Sequence, residues 1–381
     1  MEERRLPRYS LILNYYHTEM KIRNLILVIS LLCITVTASS QTVGVHFEAL
    51  SFQAALDKAA QTGKVVFMDC YTSWCVPCRY MLNNVFNTNE AGEILNDKAI
   101  SVKFDMEKGE GIALAKKYKI KAYPTFFILS PQGDILYSIV GGGHWPMFKE
   151  KLLRALDDNN HLPILEKKYK NNKISNKELL AYWHALTDGE THSAIRDRVR
   201  IKLEDNLKGR ERFRKEYWPL YKDKTYDSEA FREVLKYASR FQKNVGNDVV
   251  EEYLKNTLSS QMLYCRSRRR EQDKETLLTM EQQIKVLEIS CKDELSDELT
   301  FSMACVEKDL DKMITLIEDK FLDASEQTIW AVLSPFSDWG HKIATATQMQ
   351  RIKALEKKIN SCQKNETLKK SISSFFERFY E

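Results

Sequence analysis

Cys75 and Cys78, separated by Val76-Pro77, are the residues whose types and spacing best suit chemistry. If Val76 and Pro77 open a helix, the two thiols lie one turn apart on one face, within the reach a disulfide requires. Proline is tolerated there because an N–H in the first helical turn has no intrahelical partner to lose. Such a pair serves either thiol–disulfide exchange or half of a zinc site. A structural zinc site needs four ligands, and no second Cys-x-x-Cys or closely spaced histidine pair accompanies this one. His46, His144 and His161 are scattered. The expectation is therefore a redox centre with no metal.

The elements that must position the pair follow from periodicity. Lys64 to Tyr71 reads as a buried strand leading to the thiols, and Val76 to Phe86 as the helix that leaves them. Ser51 to Gln61 carries Phe52, Ala55, Leu56, Ala59 and Ala60 at helical spacing before Gly63. Ile100 to Asp105 alternates as a strand, Gly111 to Tyr118 is helical and Thr125 to Leu129 is another apolar strand. The turn Pro131-Gln132-Gly133-Asp134 joins it to Ile135 to Val140 as a hairpin. Gly141 to Gly143 then precede a helix over Trp145 to Leu156, with His144 as a helix-start residue. This switching over 42–157 predicts an α/β domain.

After Asp157-Asp158-Asn159-Asn160 and Pro163, residues 164–381 hold very few glycines or prolines and predict an all-α domain. Tyr169-Lys170 followed by 177–182 loosely echoes Tyr221-Lys222 followed by 229–234. The two arrangements open to this half are stacked helical hairpins and an irregular bundle.

Residues 1–40 read as a signal peptide region. Lys21 and Arg23 precede an apolar run from Leu25 to Val36, which ends in Thr37-Ala38-Ser39-Ser40-Gln41. Met20 directly before Lys21 is the expected true start. The run is shorter than the roughly 20 residues of a comfortable span. Membrane contact is therefore expected only through an uncleaved signal anchor. Leu32 argues against lipid modification of Cys33. Export makes the expected location periplasmic or secreted, where disulfides form and persist. Cys70, beside Asp69 on a strand, points to the opposite sheet face and predicts a buried inert thiol. Cys265, Cys291, Cys305 and Cys362 allow two bridges in three connectivities, or buried free thiols. A formal charge of +5 is small for 381 residues. Arg266 with Arg268-Arg269-Arg270 then reads as a solvated helix face, and nucleic acid is not an expected partner.

Trp74-Cys75-Val76-Pro77-Cys78 resembles the Trp-Cys-x-Pro-Cys centre of the thioredoxin superfamily. Asp69, six residues before Cys75, stands where that family carries its buried aspartate. Tyr123-Pro124-Thr125 resembles its cis-proline loop. Residues 65–133 are most similar to periplasmic thioredoxin-like domains, such as the C-terminal domain of the transmembrane reductase DsbD. Residues 164–381 show no such likeness. The resemblance implies a thioredoxin fold, a central mixed sheet flanked by helices.

It also implies roles. Cys75 is the expected nucleophile, because a helix N-terminus favours thiolate over thiol. Cys78 attacks the resulting mixed disulfide. Asp69, its pKa raised by burial, takes the proton; a solvent-facing strand-end carboxylate is the competing expectation. Pro124 presents the backbone of Tyr123 to an extended substrate. Tyr123, where a smaller aliphatic residue is common, bears on substrate choice, and Trp74 covers the site as an apolar ledge. No cofactor is implied. The expected partners are protein thiols or disulfides and an unidentified electron donor. Val76-Pro77 lacks the histidine of strongly oxidising relatives, which points to a reductant or a moderate exchanger. The competing function is a helical scaffold that uses the thioredoxin-like domain for docking.

Overall fold

The computed structural model describes residues 44–190, 193–222 and 224–380. The signal peptide reading of 1–40 lies outside the described residues. Among the described residues, no helix is long and apolar enough to cross a membrane.

The apolar run Val65–Tyr71 forms β1, which with β2 (Ala99–Asp105), β3 (Thr125–Leu129) and β4 (Ile135–Val140) builds one sheet in the order β2-β1-β3-β4. β1 runs parallel to β2 and antiparallel to β3, and β4 is antiparallel to β3. A sheet buried on both faces needs helices on both. Alternation along β1 sends Val66, Met68 and Cys70 to one face, where they pack with Phe52, Leu56 and Leu114. Phe67 points to the other, against Met81, Phe86, Phe126 and Phe148.

The helices of this part of the chain are α1 (Phe52–Thr62), α2 (Val76–Tyr80), α3 (Asn89–Lys98), α4 (Glu110–Lys117) and α5 (Trp145–Ala155). α1 starts where the Ser51 side chain accepts from the Ala54 N–H, and ends at Gly63 in the left-handed conformation, φ 67°. α2 continues through a wider π turn over Met81–Val85, so the helix expected to Phe86 changes its winding midway.

α3 was not expected from the sequence. Asn89, Gly92, Asn96 and Asp97 are weak helix formers. Tertiary packing decides instead: Thr88 caps the N-terminus, and a side chain at residue 92 would collide with the Gly44 carbonyl.

Three further helices, α6 (Leu162–Lys170), α7 (Asn176–Asp188) and α8 (Ser193–Asn206), extend this unit. α7 packs on β4 and α5, and its Ala185 enters the sheet core. Asp188, buried at the end of α7, accepts from the Tyr137 hydroxyl at 2.8 Å and from Arg154 Nη2 at 2.9 Å. The chain separates into compact units at Asn206/Leu207. The sequence reading places the domain boundary at 157–164, and helices beyond it also pack on the core of the sheet.

The second unit is helical, with α9 (Glu229–Lys236), α10 (Ala238–Val245), α11 (Asn247–Arg268), α12 (Glu271–Val286), α13 (Lys292–Glu307), α14 (Leu310–Leu316), α15 (Glu326–Pro335), α16 (His341–Ile343), α17 (Ala346–Cys362) and α18 (Glu366–Tyr380). Phe301, Ile314, Phe336, Leu355 and Phe376 anchor one core. Phe213, Trp218, Tyr221 and Phe241 form an aromatic cluster. The echoed segments at 169–182 and 221–234 fall in different units. Cys265, Cys291, Cys305 and Cys362 are free thiols. Cys265 and Cys305 are buried and Cys291 half-buried, whereas Cys362 is exposed, against the expectation of burial.

Candidate active site

β1 delivers the chain to the turn Thr72-Ser73-Trp74, and Cys75 becomes the N-cap of α2. The Cys75 N–H donates to the Thr72 carbonyl at 3.2 Å, and Arg79 Nη1 donates to the Ser73 carbonyl at 3.2 Å. Pro77 in the first turn forfeits no hydrogen bond. Cys75 and Cys78 are joined by a disulfide with Cα atoms 5.3 Å apart. The Cys78 N–H donates to Cys75 Sγ at 3.1 Å, so a helix-terminal amide already serves the sulfur that would carry charge as thiolate.

Below the disulfide lies a cavity of about 120 Å³, lined by Asp69, Thr72, Cys78, Leu82 and Lys103 among others. Asp69 is only 4% exposed, and its Oδ1 has no hydrogen-bond partner among the described residues. Burial pushes its pKa up to about 7, against the pull of Lys103. Asp69 is thus not a solvent-facing carboxylate. Cys70 sits in the core of the opposite sheet face. Burial, with the Asp69 charge second, pushes its thiol well above the ordinary range.

Trp74 is 62% exposed beside the disulfide. Its Nε1–H donates to both carboxylate oxygens of Glu107, at 3.1 and 3.0 Å. Its ring meets Tyr123 edge-on at 6.2 Å. The Tyr123–Pro124 peptide is cis.

On the other side runs a groove of about 420 Å³, walled by Pro77, Tyr80, Tyr123, Pro124, Gly141, Gly142, Gly143 and His144. The Gly141 N–H donates to the Pro124 carbonyl at 2.9 Å. Gly142 backs onto Met81, whose Sδ would lie 3.0 Å from an added Cβ, whereas Gly143 faces open space. His144 is the N-cap residue of α5. Its Nδ1 lies 2.9 Å from the Tyr80 hydroxyl, with the rings edge-to-face at 5.7 Å.

The structure therefore brings together Asp69, Trp74, Cys75, Cys78, Tyr123 and Pro124. Tyr80 and Glu107 were missed. Tyr80 follows Cys78 by two residues, but only contacts made across the fold mark either residue as part of the site. Among the described residues, no group of three or more His, Cys, Asp or Glu side chains is arranged to hold a metal ion.

A cysteine disulfide capping the helix that follows the first strand of a mixed four-stranded sheet defines a thioredoxin-fold domain of the thiol–disulfide oxidoreductase type. The chain belongs to the thioredoxin family: a thioredoxin-like family model matches residues 47–131, and thioredoxin H4 of Arabidopsis thaliana is 31% identical over 101 residues, covering 26% of this chain and 79% of that protein. The thiol:disulfide interchange protein DsbD of Pseudomonas fluorescens is 32% identical over 83 residues, 22% of this chain and 14% of that protein. The solution structure of a provisionally assigned disulphide-isomerase from Bacteroides thetaiotaomicron is 36% identical, covering 31% of this chain and 98% of that one, with a TM-score of 0.29. The chain spans less than half the length of the curated relatives it matches first.

Proposed function

We propose that this protein is a thiol–disulfide oxidoreductase of the cell envelope that reduces or exchanges protein disulfides through Cys75 and Cys78. The observation that carries the reading is the disulfide at the N-terminus of α2, directly above a cavity shared with a buried carboxyl. In the reduced protein, the Cys75 thiolate attacks a substrate disulfide. The substrate S–S bond breaks, a Cys75–substrate disulfide forms, and one substrate thiolate leaves and takes up a proton. Asp69 then accepts the Cys78 proton, and the Cys78 thiolate attacks Cys75 Sγ. This closes the intramolecular disulfide and releases the second substrate thiol. Two electrons pass to the substrate, and an external dithiol donor must restore them.

Trp74, Tyr123 and Pro124 border the disulfide as surfaces for an extended polypeptide. The absence of histidine at Val76-Pro77 supports reduction or exchange over strong oxidation. The pattern of Lys21, Arg23 and Leu25 to Val36 supports export to the periplasm or beyond.

The purified protein should reduce insulin disulfides in the presence of a dithiol, and Cys75→Ser should not. Absence of turnover by the wild type would favour a docking module instead. Cys78→Ala should accumulate mixed disulfides with partners through Cys75. Trapping by Cys75→Ala in its place would reverse the assigned roles.

A further inference from the structure

Tyr80 and His144 stand 64 residues apart in sequence yet meet through a side-chain hydrogen bond at the wall of the groove beside the disulfide. Either ring tautomer fits this contact; when the phenol donates to Nδ1, the ring keeps its proton on Nε2. In that tautomer the Tyr80 contact orients a ring that retains one N–H donor. His144 is exposed, so that donor is not consumed by the core. Among the residues walling the groove, none is a carboxylate, and His144 carries the one imidazole. The rest of the wall is proline, tyrosine and glycine, which offer shape but no charge.

We propose that the Tyr80–His144 pair is a specificity element that favours substrate polypeptides with a carboxylate side chain next to the cysteine under attack. This rests on the oxidoreductase reading and names its substrate class. A carboxylate in the groove accepts from the imidazole N–H, and such a charge-assisted bond is among the stronger polar contacts available. A lysine at the same place meets a donor with another donor and gains nothing.

The test compares disulfide-linked peptides that differ at one residue, Glu against Lys, placed before the cysteine in one pair and after it in a second. With the full-length protein, kcat/KM should favour Glu by about tenfold in at least one pair, and the difference should lie in KM. His144→Ala should bring that ratio to about one. His144→Gln, which keeps an N–H donor, should retain part of it, and Tyr80→Phe, which frees the ring, should fall between. Equal handling of Glu and Lys by the wild type, or a preference that survives in His144→Ala, overturns the proposal while leaving disulfide reduction standing. Failure of the wild type to turn over either peptide or glutathione disulfide overturns the oxidoreductase reading, and this inference with it.

Discussion

Asp69 is the residue at which function and stability oppose each other. Its folded-state pKa of about 7 lies above the ordinary 3.8, so between those values the folded protein binds more protons than the unfolded chain. Stability therefore falls as pH rises from about 4 to about 7 and stays low above it, with an upper limit of about 4 kcal/mol lost by pH 8. Asp69→Asn should be more stable than wild type at pH 8, by up to that amount, and nearly equal to it at pH 4. Urea titrations at the two pH values check this, and an unchanged pH slope would refute the burial argument. At pH 7 the same substitution should slow resolution of the Cys75 mixed disulfide by ~10²-fold, the usual scale of a lost general base. Cys75 and Cys78 stand out in the sequence by type and spacing, whereas Asp69, Trp74, Tyr123 and Pro124 are expected from the resemblance to the thioredoxin family. Tyr80 and Glu107 were not legible in sequence, since what makes them part of the site is contact with His144 and Trp74 across the fold.

The elements show the same limit. Strands and helices with clear periodicity, such as Val65–Tyr71 and Phe52–Thr62, follow from the local pattern. α3 does not, because its reason is the close approach of Gly92 to the Gly44 backbone. The role of α7 was equally hidden: it looks like any amphipathic helix until Asp188 is seen between Tyr137 and Arg154. Asp188→Ala should leave a buried phenol and a guanidinium without their acceptor, costing roughly 3 kcal/mol. Denaturant midpoints of the two proteins at equal m-value measure it. A change within ~0.5 kcal/mol would mean that α7 is held by its apolar contacts alone.

For the whole molecule, these contacts redefine where an independently folding piece ends. A fragment of residues 44–206 should unfold cooperatively. One ending at 157 should melt lower or fail to fold, because it lacks Ala185, Leu179 and Asp188. Calorimetry of the two fragments separates the outcomes, and equal melting would restore the shorter boundary. The change to a helical second half was visible in its scarcity of glycine and proline. The division at Asn206/Leu207 was not, since charged and apolar residues interleave in α6 to α8 as they do in the helices after them.

The distribution of free thiols gives the second unit a chemical address of its own. Burial pushes Cys265 to about 11 and Cys305 to about 12, and raises Cys291 as well, so all three react sluggishly with electrophiles. Cys75 and Cys78 are closed in their disulfide, and Cys70 is sealed in the sheet core. Among the described cysteines this leaves Cys362 at the surface of the helical unit as the natural attachment point for a maleimide fluorophore under non-reducing conditions. The unmodified sequence thus accepts a dye on the unit that does not carry the Cys75–Cys78 pair. Polarisation decay of that dye would show whether the helical unit tumbles as an independent body.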